Sequence, residues 1–142
     1  MFGGKLRSQI RCEKCDYTSD TFDETFALNL PLPRGKEATF GDALSQFFSV
    51  DKLAKDNKYK CPVCKSLQNA TKRLSVNVAP RILIVTIKRF DIFGRKIRTN
   101  IRYPSAFNLK SFMDGSIDQH VATKTVGDEV YDLYGVVIHD GH

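Results

Sequence analysis

The chain has 142 residues, 42% of them hydrophobic and 27% charged, which is enough for one core of ordinary size and makes a single domain the expectation. Its longest apolar run, Ile82 to Ile87, falls far short of the roughly 20 residues that cross a bilayer as a helix, so a membrane-spanning helix is excluded. The formal charge of +6 comes from 22 Lys and Arg intermixed with 16 acids, which suits a solvated surface better than a stripe for nucleic acid.

In chain order, the first local signal is Cys12-Glu13-Lys14-Cys15, a pair of thiols two residues apart on a tight turn. Phe22, Phe26, Leu28, Leu30 and Leu32 follow, alternating from 26 to 32, and predict a strand with one buried face that ends at Pro33, with both phenylalanines in the core. After a soft stretch from Pro31 to Gly35, Thr39-Phe40-Gly41-Asp42 has capping-box spacing. Ala43, Leu44, Phe47 and Phe48 then recur every three to four residues, as a short amphipathic helix requires, and Leu53 extends its apolar side.

Lys58-Tyr59-Lys60 leads into a second thiol pair, Cys61-Pro62-Val63-Cys64. Leu74, Val76 and Val78 alternate up to the break at Pro80. The continuous run from Ile82 to Ile87 predicts a central strand buried on both faces, with Lys88-Arg89-Phe90 as its end: two solvated cations and one core ring. Phe93-Gly94 signals a turn, Ile97, Ile101 and Tyr103 alternate beyond it, and Tyr103-Pro104 opens a looser segment through Phe107, Leu109 and Phe112. Asp114 to Gly127 is polar, and its Asp114, Asp118 and His120, with Asp128 just beyond, read as solvated groups whose spacing fits no calcium loop. Tyr131 to Ile138 is strongly strand-like. Strands outnumber helices, so the fold class is β-rich α+β, an antiparallel sheet with one or two short helices.

The four cysteines are the only ones in the chain. Two knuckles of two thiolates can complete a tetrahedral four-sulfur site, the arrangement that Zn2+ favours at about 2.3 Å per bond, which makes Cys12, Cys15, Cys61 and Cys64 the candidate ligands. The competing assignments are two disulfides or four buried thiols, and no secretory signal argues for an oxidising compartment, so the chain is expected to be intracellular, in cytoplasm or nucleus. With 45 residues between Cys15 and Cys61, against about 15–20 in compact zinc modules, an ion here would join two distant hairpins. A closed four-sulfur site has no vacant position for substrate, so its role is structural.

Other pieces recur in a fixed order around these knuckles: Phe2-Gly3-Gly4, Leu6 and Ser8; the stretch from Ser19 to Leu32; Lys60 before Cys61; Lys72-Arg73; Ala79-Pro80-Arg81-Ile82-Leu83; Lys88-Arg89-Phe90; Tyr103-Pro104; and Tyr131 with Leu133-Tyr134-Gly135-Val136-Val137, His139 and Gly141. Together they resemble the ubiquitin-specific protease family of cysteine deubiquitinases over nearly the whole chain. The resemblance implies a papain-like right-hand fold of thumb, palm and fingers, with residues 1–78 mainly zinc-tied fingers and 79–142 part of the palm.

It also implies where catalysis resides in the family: a cysteine in an Asn-Thr-Cys-Tyr box, a histidine in a Gly-His-Tyr motif, and an Asp or Asn that orients it. None of these boxes occurs here, so no catalytic residue is assigned; His139 reads as a strand-end residue and His142 as a loop residue. The expectation is a section of a thiol protease that cleaves the bond after the C-terminal glycine of ubiquitin, inactive alone, with ubiquitin and ubiquitinated proteins as partners and self-association through uncovered apolar edges. The alternatives are an inactive ubiquitin-binding module and a stand-alone zinc ribbon for nucleic acid. The latter is disfavoured because aromatics and cations are not interleaved along one strand.

Overall fold

The computed structural model of the chain describes residues 1–33, 35–114 and 129–138. Among the described residues, twelve strands and one α-helix are formed in the order β1 (Gly4–Cys12), β2 (Thr18–Thr25), β3 (Leu28–Pro31), β4 (Glu37–Thr39), α1 (Phe40–Phe47), β5 (Asp51–Leu53), β6 (Tyr59–Cys61), β7 (Ser66–Gln68), β8 (Ala70–Val78), β9 (Val85–Lys88), β10 (Asn100–Arg102), β11 (Ala106–Asn108) and β12 (Val130–Asp132). Short 3-10 turns lie at Lys55–Asn57 and Lys110–Phe112. The fold is the expected β-rich α+β.

The main sheet has the order β2-β1-β8-β5 and is antiparallel throughout. β1 lies inside it and pairs on both edges, with Arg7 opposite Phe22 on one side and Ser75 on the other. Gly4 is required by close approach: a Cβ there would come within 2.8 Å of the Val78 carbonyl oxygen and 3.0 Å of Pro80 Cδ. Its neighbours Lys5 and Leu6 mark a register shift against β8. Two small pairs, β3 with β9 and β4 with β10, are parallel, a geometry that the antiparallel expectation did not include.

The capping box at Thr39 forms as its spacing predicts. The Thr39 hydroxyl accepts from the Asp42 amide at 3.1 Å while Asp42 accepts from the Thr39 amide at 2.9 Å and hydroxyl at 2.7 Å, and these bonds from the hydroxyl and then the amide hold the Asp42 carboxyl below its ordinary pKa. The helix thereby starts with its apolar face turned inward, and Phe40, Ala43 and Leu44, with Phe48 just beyond its end, join Leu28, Leu30, Val76 and Leu109 in one buried cluster. The segment read as loose after Pro104 belongs to this core: Phe107 meets Phe40 edge-to-face at 4.9 Å and stacks on Tyr131 at 5.6 Å, and Phe112 stacks on Phe48 at 4.9 Å.

Several readings are corrected. The stretch from Ser19 to Leu32 is two strands, broken at Phe26 and Ala27. β2 is the outer strand of its sheet, so Phe22 and Phe26 are 53% and 67% exposed and are not core. The run from Ile82 to Ile87 is not a central, two-faced strand. Only Val85–Lys88 is extended, it pairs with β3 alone, and its residues alternate between half-buried and exposed. Phe90 is exposed, whereas Arg89 turns inward and donates to the Thr99 carbonyl at 2.9 Å. Leu53 serves β5 and not the helix face. Tyr131 to Ile138 is a strand only through Asp132, because β11 is three residues long; beyond it the Leu133 amide still donates to the Ser105 carbonyl at 2.7 Å, and residues 134–138 belong to no strand.

Asp114 is no solvated acid either. Its carboxylate accepts from the Ser75 hydroxyl and from Asn77 Nδ2 at 2.9 Å, lies 3.7 Å from Arg7 Nη1, and its amide donates to the Val76 carbonyl at 2.8 Å. Arg7 also holds Asp20 through two bonds at 2.9 and 3.0 Å, so one guanidinium joins β2, β1 and the segment after Phe112. Asp118, His120, Asp128, His139 and His142 lie outside the described residues.

The burial pattern makes a contrast measurable. Leu30→Ala should lower stability by about 3 kcal/mol, because a fully buried side chain leaves a cavity, while Phe22→Ser should change it by less than about 0.5 kcal/mol. Urea unfolding of the two variants checks this, and similar losses would show Phe22 to be core after all.

Candidate metal centre

Each cysteine pair sits at the reversal of a β-hairpin. β1 ends at Cys12, and the turn that follows closes with the Cys12 amide on the Tyr17 carbonyl at 2.9 Å and the Asp16 amide on the Cys12 carbonyl at 3.0 Å. β6 ends at Cys61, paired with Ser66 of β7 across the second turn. Pro62, the first residue of that turn, costs nothing there, since its missing N–H has no ladder partner to serve.

The turns share an unusual backbone choice. Asp16 and Lys65, each directly after the second cysteine of its knuckle, have φ of 57° and 54°. This left-handed conformation turns the chain tightly enough to bring both sulfurs of a pair to one side, and it is one that side-chain-bearing residues adopt at a cost. Sequence reasoning passed over both positions. The available signal was their place in the motif, where glycine would be the unstrained choice.

The two hairpins are joined by the Glu13 amide, which donates to the Asn69 carbonyl at 3.0 Å, and by the pairing of Cys12 with Ala70. As a result all four predicted residues converge: the sulfurs of Cys12, Cys15, Cys61 and Cys64 lie within 4.8 Å of one another, and Cys15 Sγ is 3.6 Å from Cys61 Sγ. A tetrahedral ion bonded to sulfur at about 2.3 Å would set its ligands about 3.8 Å apart, so the donor set and its spacing fit such an ion. Cys12 and Cys61 are fully buried, Cys64 is half-buried and Cys15 is exposed.

The local field differs from thiol to thiol. Burial raises Cys61, but the amides of Cys64 and Val63 and the thiols of Cys15 and Cys12 outweigh it and bring its pKa down to about 7. The Cys64 amide lies 3.5 Å from Cys61 Sγ, the charge-accepting geometry that a metal-bound thiolate needs. Cys64 is the converse: its bond with Cys15 and its burial push it up to about 12. Four thiols this close cannot all ionise without a cation among them, and a cation would remove that repulsion. The group could hold a metal ion, and with four protein ligands it would leave no position for a substrate.

The strained turn supplies a test. Lys65→Gly should raise the stability of the metal-loaded chain by about 0.5 kcal/mol, since relief of left-handed strain of about 1–2 kcal/mol exceeds the added freedom of the unfolded chain. Lys65→Ala, which keeps the strain, should give no gain. Thermal unfolding of the pair decides, and equal midpoints would remove the strain argument.

Comparison with known proteins agrees with the geometry. The family model described as ubiquitin carboxyl-terminal hydrolase matches residues 1–142. Among relatives, ubiquitin carboxyl-terminal hydrolase 4 of Eremothecium gossypii is 32% identical over 149 residues, covering 99% of this chain and 18% of the relative. Ubiquitin carboxyl-terminal hydrolase 23 of Arabidopsis thaliana is 37% identical over 143 residues, covering 99% and 16%. The chain thus spans about a fifth of the length of such relatives. A solved structure of the SAGA Ubp8/Sgf11/Sus1/Sgf73 DUB module bound to ubiquitin aldehyde superposes with a TM-score of 0.76 at 28% identity, covering 99% of this chain and 31% of that one. A family match over every residue, on a scaffold that carries the two thiol knuckles at hairpin ends, shows that this chain belongs to the ubiquitin carboxyl-terminal hydrolase family, in the ubiquitin-specific protease branch that its motifs resemble.

Proposed function

We propose that the chain is the fingers and part of the palm of a deubiquitinase, in which Cys12, Cys15, Cys61 and Cys64 hold a structural Zn2+ and the finger sheet grips ubiquitin. Residues 1–78 form the fingers and 79–142 contribute to the palm. The observation that carries this reading is the convergence of four thiols from two hairpins within a chain whose whole length matches the family. Among first-row ions an all-thiolate tetrahedral set selects zinc or iron, and a closed site suits zinc as a fold-stabilising ion.

In the intact enzyme, the reaction is attack by an activated thiol on the carbonyl of ubiquitin's C-terminal glycine; the amide bond that follows it breaks, the amine leaves with a proton, and water then releases the thioester. The four cysteines of this chain are all committed to the cluster, so the nucleophile is supplied by sequence other than these 142 residues, and these residues do the work of binding and holding shape. The solved relative bound to ubiquitin aldehyde supports ubiquitin as the ligand. The exposed side chains of Leu133, Tyr134, Val136, Val137 and Ile138 support concentration-dependent self-association of the isolated chain. Among the described residues, no helix is long and apolar enough to cross a membrane.

Elemental analysis of the purified chain should find about one zinc per molecule, because in such sites binding energy is folding energy. Cys61→Ser should speed amide exchange in β1, β6, β7 and the start of β8 more than in α1 and β3, which keep the apolar cluster. Absence of zinc, or uniform loss of protection, would overturn the structural role of the site.

An electrophilic ubiquitin probe should label no cysteine of the zinc-loaded chain, while ubiquitin itself should bind with a dissociation constant no tighter than roughly the high-micromolar range, about 4–5 kcal/mol. Nuclear magnetic resonance titration with labelled ubiquitin reads the second outcome. Labelling of any of the four thiols, or no shift of ubiquitin resonances at millimolar chain, would count against the assignment.

A further inference from the structure

Where the two knuckles meet, a shallow depression of about 320 Å³ opens to solvent, lined by Glu13, Lys14, Lys58, Leu67, Gln68 and Asn69. It exists because the Glu13–Asn69 backbone bond draws the first knuckle against the strand that leaves the second.

Its charge is left unanswered. Lys14, Lys58, Lys60 and Lys65 are all exposed, and no carboxylate lies within 4.0 Å of any of them among the described residues. Four arginines behave otherwise, for Arg7, Arg11, Arg95 and Arg102 each hold an acid of the same chain. Residues 51–67 carry five lysines and two aspartates, so the stretch that builds the second knuckle has a net positive charge. Beside them Leu67 is 61% exposed and Val63 58%, large apolar side chains that gain from being covered.

We propose that this depression between the knuckles binds an acidic peptide segment, with carboxylates on Lys14 and Lys58 and an apolar side chain over Leu67. The side-chain amide of Asn69 can serve the peptide backbone, as both donor and acceptor. Nucleic acid fits less well. Its charge repeats at every nucleotide and would meet the Glu13 carboxylate, and no aromatic side chain lines the depression for a base to stack on. The proposal is independent of the deubiquitinase reading, since it uses only the surface of the knuckles.

The test is fluorescence anisotropy of a short labelled peptide of glutamates and aspartates around a central leucine, titrated with the zinc-loaded 142-residue chain. Saturable binding that weakens with added salt is expected. Lys14→Glu combined with Lys58→Glu should weaken it about tenfold, and Leu67→Ser should weaken it as well. The control pair Lys36→Glu with Lys110→Glu, exposed and elsewhere on the chain, should leave it unchanged. Zinc content of each variant verifies that the knuckles remain closed. Absence of saturable binding, equal weakening by the control pair, or stronger binding of a single-stranded oligonucleotide of the same charge would overturn the proposal.

Discussion

The convergence of four sulfurs at the ends of β1 and β6 is what the hairpin end of the molecule depends on. The β6–β7 hairpin pairs with no other strand among the described residues, and an isolated two-stranded hairpin is marginal in water. Three things fix it: its covalent continuation into β8, one backbone bond from Glu13 to Asn69, and the thiol cluster. Only the cluster constrains the turn itself, and it does so by joining residues 46 positions apart. Without a cation the same four groups repel once ionised, so the feature that organises this end also makes it conditional on an ion.

Away from the knuckles the organisation passes through β8. This strand begins at the metal centre beside Cys12 and ends in the core, where Val76 packs in the apolar cluster and its carbonyl receives the Asp114 amide. Arg7 adds a second tie, reaching Asp20 on one edge and Asp114 on the other. The partly buried charged hydrogen bonds of Arg7 to Asp20 contribute about 1.5–3 kcal/mol each, more than exposed pairs such as Arg11 with Asp16, while its contact with Asp114 is a longer ion pair. The sheet is therefore continuous, mechanically, from thiols to core.

What could be read from sequence was what is local. The cysteine spacing works at a range of four residues, and the Thr39–Asp42 box at the same range, so both were legible before any neighbour was known. Phe22 and Phe26 were misjudged because alternation reports that a strand has an apolar face, and not whether anything covers it; on an outer strand nothing does. The Ile82–Ile87 and Tyr131–Ile138 runs failed for the same reason, as each has strand propensity beyond the length that its paired neighbour supports. Asp114 illustrates the remaining limit. Its partners Ser75 and Asn77 are nearly 40 residues away, and no local pattern distinguishes an acid that will be clamped from one that will be solvated.

The pairing of β1 with β8 joins Arg7 to Ser75 and Cys12 to Ala70, contacts far apart along the chain, and such contacts are slow to form because the loop between them must close before they are rewarded. The thiol pairs sit at the near end of that loop. An ion captured by Cys12 and Cys15 in the unfolded chain and then by Cys61 and Cys64 would close the loop in advance, and would leave β1 and β8 to zip from their cysteine ends toward Gly4 and Val78. Were an ion held there, its supply would govern how fast the fold is reached as well as how firmly it is held.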